Sequence, residues 1–151
     1  MKAKMITVLA LLLIGSVRAH EHHPPHQGTL VELGEEFAHL EVVLDAKTGT
    51  LTAYSLDGEA EKAVRLKQAE IVIAISGVKG LETLALKAQE SPLTGEKPGD
   101  SSEFSVQADA LKGVAKFDGI VKAVTTRGTD FKNVKFNFPK GNEESGDPGK
   151  K

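Results

Sequence analysis

Four of this chain's five histidines fall within residues 20–28, His20-Glu21-His22-His23-Pro24-Pro25-His26-Gln27-Gly28, and the fifth is His39. Imidazole nitrogen suits zinc, copper and nickel, and a short His-rich tract is a metal-binding composition. The chain contains no cysteine, which excludes disulfides, thiolate metal sites and a cysteine nucleophile. Pro24-Pro25 excludes a helix and favours polyproline II geometry, so residues 20–28 read as an extended, flexible arm. Without a helix, His20-Glu21-His22-His23 cannot imitate the helical His-Glu-x-x-His zinc motif.

The segment before the arm sets its chemistry. Lys2 and Lys4 precede an apolar run, Met5 to Ile14, which Gly15-Ser16 ends; Val17-Arg18-Ala19 then offers permissive residues for cleavage. This reads as a secretory signal peptide over residues 1–19, too short to span a bilayer. The mature chain would carry no membrane span and no cysteine for lipid attachment, and would lie in the periplasm or outside the cell. Its 19 basic residues would fall to 16 against 21 acidic ones, moving the net charge from −2 to −5. A cut after Ala19 makes His20 the first residue and His22 the third. The free amine, two deprotonated backbone amides and the His22 ring then form a square-planar nitrogen set suited to Cu(II) or Ni(II).

This three-residue arrangement resembles the amino-terminal copper and nickel motif of serum albumins. A second arrangement uses the amine and ring of His20 together, with another histidine completing a T. It resembles the histidine brace of copper-dependent polysaccharide monooxygenases and of periplasmic β-sandwich copper carriers. That resemblance implies His39 as the fixed second histidine; the late-chain ligands of the carriers have no counterpart, because no histidine follows residue 39.

His39 and Glu41 are two apart on a candidate strand, so both side chains point to one face. With His26 folded back they would make a His/His/carboxylate set for zinc or copper. The plainer alternative is a partly exposed strand histidine with Glu41 as its ion-pair neighbour. The segment HQGTLVELGEEFAHLEVVLDAKTGTLTAYSLDG, residues 26–58, also resembles the start of small secreted bacterial proteins of unknown function. Those share a His-Gly-Gly-like start, a Leu/Val-Gly turn, a His-Leu-Glu strand and a Gly-Thr-Leu hairpin, and some occur beside heavy-metal efflux components. The resemblance implies a metal-associated envelope role in which His26, His39 and Glu41 matter. Gln27 stands where that pattern has glycine.

Other chemistry is thinly supplied. There is no Gly-x-Ser-x-Gly elbow and no phosphate-binding loop ending in Gly-Lys-Ser/Thr. The absence of a dense Lys/Arg cluster, the acidic balance, the lack of tryptophan and the single Tyr54 argue against nucleic-acid binding. Glu35-Glu36 and Glu143-Glu144 read as solvated turn and tail charge.

The elements that must position the histidines are short strands. A length of 151 residues, 40% hydrophobic and 26% charged, fits one domain. Residues 29–33, 37–45, 50–56, 70–75, 81–88, 103–108, 119–126 and 129–138 are candidate strands. Ala46–Gly49 joins a hairpin over 37–56, and Arg127-Gly128 joins another at the end. Residues 60–70 read as loop then strand, 89–102 as loop, 109–113 as one helical turn, and 140–151 as a disordered tail. Seven to nine antiparallel strands make an all-β domain over residues 29–139, an immunoglobulin-like sandwich or a small barrel.

The expectation is therefore a non-enzymatic periplasmic or secreted protein that captures Cu(II) first, with Ni(II) and Zn(II) as alternatives. His20, His22, His23, His26, His39 and Glu41 are its candidate ligands, and a metal ion and an envelope metal-efflux component its partners. Protons would compete for the imidazoles near pH 6.5. The competing reading is an envelope interaction domain whose histidines are incidental.

Overall fold

The computed structural model describes residues 22–142; the leader, His20, Glu21 and the tail beyond residue 142 lie outside the described residues. Eight antiparallel strands form one sheet: β1 Thr29–Leu33, β2 Ala38–Asp45, β3 Thr50–Leu56, β4 Glu70–Ser76, β5 Thr83–Ala88, β6 Glu103–Gln107, β7 Phe117–Thr126 and β8 Thr129–Phe138. Their order is β1-β2-β3-β6-β5-β4-β7-β8. Of the two arrangements open to the sequence, the sheet curls nearly into a barrel rather than dividing into two layers.

Period-two patterning drives this. Ile71, Ile73 and Ile75 on β4, Leu84 and Leu86 on β5, Phe104 on β6 and Val121 on β7 point into one core. Val124 joins it after the β7–β8 ladder skips Lys122, and Leu66 and Leu111 join it from the connectors. Residues 60–69 form a connector with isolated bridges at Ala63 and Leu66 and hydrogen bonds linking Gln68 to β7 and Ala69 to β5; the strand begins at Glu70. The Asp109–Leu111 turn is 3-10.

β1 and β8 meet without a hydrogen-bonded ladder between them. The Thr29 hydroxyl donates to the Pro139 carbonyl at 3.1 Å. The Asn142 side chain accepts from the Glu32 amide at 2.7 Å and donates to the Glu32 carbonyl at 3.1 Å. Residues 140–142 thus belong to the fold rather than to a tail.

β2 breaks the pattern. Ala38, Leu40 and Val42 face the core, yet His39 and Glu41 on the opposite face are also fully buried. The reason is the arm. Residues 22–28 turn at Pro24–Gln27, closed by the Gln27 amide donating to the Pro24 carbonyl at 3.0 Å, and lie against the outer face of β2. Gln27 takes φ 56, a left-handed conformation that favours glycine. A docked turn therefore replaces the expected flexible extension over these residues.

Candidate functional site

Docking depends on a buried carboxylate. Glu41 Oε1 accepts the backbone N–H of His26 at 2.7 Å and of Gly28 at 2.8 Å, and Oε2 accepts the His26 Nδ1–H at 2.8 Å. The approach requires glycine at 28: a Cβ there would stand 2.7 Å from Glu41 Cγ and 2.8 Å from Val43 Cγ2. The His26 ring lies flat on Tyr54, with centroids 3.7 Å apart and planes 7° from parallel. Tyr54 is the β3 partner of Glu41 across the ladder. Burial, followed by the charges of Glu103 and Glu41, pushes the Tyr54 phenol above its ordinary value.

The second cluster sits beside the first on the same face. His22 and His39 bring their ring centroids to 5.1 Å with planes tilted 50°. Their Nδ1 atoms stand 3.0 Å from the Glu59 carbonyl and 3.1 Å from the Asp57 carbonyl respectively. A carbonyl only accepts, so both Nδ1 atoms carry a proton. Among the described residues, the Glu36 carboxylate pairs with His22: its Oε1 is 3.8 Å from Nε2 and its side chain is largely exposed.

The turn that supplies both carbonyls is tightly built. Asp57 Oδ1 accepts the amides of Glu61 at 3.0 Å and Lys62 at 3.2 Å, and the Ala60 amide donates to the Asp57 carbonyl at 3.1 Å. Burial alone would raise the Asp57 carboxyl. The amides of Glu61 and Lys62, joined by the charges of Lys62 and Arg127, outweigh it and hold the group below 3.8. Gly58 packs on the β1–β2 turn so closely that a Cβ would come within 2.3 Å of the Glu36 carbonyl.

The residues anticipated as one His26/His39/Glu41 set therefore divide into two pairs, His26 with Glu41 and His22 with His39. Residues two apart on a strand stand about 6.8 Å apart, so the arm lays one histidine over each. The surface reading of His39 also fails: it is buried, and the ion-pair partner of Glu41 is His26. His23 is exposed. Among the described residues no three His, Asp or Glu side chains form a ready-made metal-binding group. Sequence reading missed Tyr54 as a platform, Glu36 as a neighbour, and the Asp57 and Glu59 carbonyls; backbone acceptors carry no residue signature.

No protein-family model, curated protein or solved structure matches this chain.

Proposed function

We propose that this protein captures a divalent metal ion, Cu(II), Ni(II) or Zn(II), between the N-terminal histidine tract and the barrel wall, without catalysing a reaction. One observation carries the reading: two adjacent imidazoles, His22 and His39, each donate Nδ1–H to a backbone carbonyl. Metal-ligating histidines are habitually oriented in this way, because the second hydrogen bond fixes the tautomer and raises the basicity of the other nitrogen. Two imidazoles sharing an ion at metal–nitrogen distances of about 2.0–2.1 Å and a tetrahedral angle have ring centres about 5 Å apart. The observed 5.1 Å agrees.

His22 and His39 make half a coordination sphere. The residues immediately preceding His22, His20 above all, supply the remaining nitrogen donors in this reading, with Glu36 as a neighbouring carboxylate and His23 in reserve. His26 and Glu41 hold the arm in register instead of binding the ion. Export and handover to an envelope metal-efflux component belong to the same proposal and rest on the leader-like segment and the resemblance of residues 26–58.

The test is titration of the exported chain, its amino terminus read by mass spectrometry, with Cu(II) and with Zn(II). A residue added before His20 should leave Zn(II) binding in place, because His22 and His39 bind through Nε2 without the terminal amine, whereas His39→Gln should weaken it. Binding no tighter than that of a free polyhistidine peptide, in both versions and for both ions, overturns the capture reading.

A further inference from the structure

Both arginines of the described residues, Arg65 and Arg127, line one cleft at the far side of the Asp57 turn, although 61 residues separate them in sequence. Lys67, Thr125 and Gly128 complete its wall, around a volume of about 490 Å³. No acidic residue lines it. We propose that this cleft binds a small oxyanion, a phosphate or a carboxylate-bearing molecule, independently of any metal.

The arginines are held in place, not loose on the surface. Arg65 donates Nη1–H to Asp100 Oδ2 at 3.0 Å and its second terminal nitrogen to the Thr94 carbonyl, and Glu96 Oε1 lies 4.0 Å from its Nε. Arg127 donates to the Phe37 carbonyl and lies over the Phe37 ring, 4.6 Å from its centroid. A guanidinium carries five N–H donors, so each arginine keeps several for a ligand. Lys67 makes no ion pair among the described residues and brings a compact cation to the same wall. Two planar forks and an ammonium suit the oxygens of phosphate or carboxylate.

The backbone supports a role for the Arg127 side chain. Arg127 and Gly128 are the central pair of the two-residue β7–β8 turn, with φ of 47 and 79. Such turns favour Asn, Asp or Gly at the first position, and an arginine in the left-handed region is disfavoured. Its side chain is anchored on Phe37 and lines the cleft. Asp100 and Glu96 fix the cleft's Arg65 and Asp130 accepts from its Thr125 hydroxyl at 2.7 Å, which leaves Arg127 and Lys67 as the cations without a carboxylate partner among the ion pairs of the described residues; Asp57 is held by the amides of its own turn.

The probes are inorganic phosphate and citrate, added to the ¹⁵N-labelled protein in the presence of a metal chelator at fixed ionic strength. Saturable shifts confined to residues 65–67 and 125–128 are expected from at least one probe, and which probe acts identifies the oxyanion class. Arg127→Lys keeps the charge and removes the fork, and Lys67→Gln removes an exposed cation with little risk to folding. Each should weaken binding about tenfold, the scale of one lost charged hydrogen bond. Shifts spread over every lysine, shifts reproduced by potassium chloride, or unchanged affinity in both variants overturn the proposal.

Discussion

Two histidine pairs sit side by side on the outer face of β2, and they differ in what Nδ1 meets. At one end His26 donates to a buried carboxylate and its ring is stacked on Tyr54. At the other, His22 and His39 donate to neutral carbonyls of a rigid turn. The carboxylate pairing serves as a fastener. The carbonyl pairing fixes a tautomer, and in the proposed function the second nitrogen is the metal donor. One residue type thus fastens the arm at Glu41 and is oriented by backbone carbonyls at Asp57 and Glu59.

The comparison breaks most readily at Glu41. Glu41→Ala leaves the amides of His26 and Gly28 without their acceptor in a buried setting and should lower unfolding stability by about 3 kcal/mol in urea titration. Amide exchange at residues 26–28 should accelerate with it. An unchanged midpoint would mean that the arm is not fastened there.

A crossover in metal affinity is the next largest effect. His22→Gln and His39→Gln should each weaken Zn(II) binding by about tenfold or more, while His26→Gln acts mainly on stability. Competition with a chromophoric chelator measures all three; equal losses from His22 and His26 would erase the distinction drawn between the pairs.

The turn beneath the ligand pair has its own pH signature. The Asp57 carboxyl titrates lower in the fold than in the unfolded chain, so its stabilisation is present above the unfolded value and disappears as pH falls through the folded one. Stability should therefore decline below about pH 4, and Asp57→Asn should flatten that limb in acid-unfolding curves. The smallest effect is optical. Tyr54 titrates above its ordinary value, so its contribution is intact below the unfolded value near 10 and is lost as pH rises through the folded one. Glu41→Gln removes one of the charges that raise it, and ultraviolet titration should show phenolate appearing at lower pH than in the parent.

Much of the barrel was legible in residue patterning. The alternation in FAHLEVVLD and TLTAYSL, with Gly49 in a left-handed turn, specified the β2–β3 hairpin and correctly separated His39 and Glu41 from Leu40 and Val42. The same alternation suggested a solvent face that does not exist, because period-two patterns report which side a residue faces and not what lies over it. What covers that face is a segment rich in proline and histidine, whose composition reads as solvated. Its docking is specified by one carboxylate and by Gly28, whose missing Cβ permits the close approach. The short strand anticipated within 60–70 is reduced to isolated bridges at Ala63 and Leu66, after Ala60 turns the chain at φ 55.

The Asn142 clasp on β1 bears on the order in which the molecule is assembled. Its two hydrogen bonds to Glu32 join residues 110 positions apart, so the seam they close waits on nearly the whole chain. The arm, β1, β2 and β3 follow one another in sequence and can associate by short-range encounters. During synthesis from the amino terminus, the histidine face is therefore complete in sequence long before the seam residues have been made. Any ion held by that face would meet a growing hairpin first and a finished barrel last.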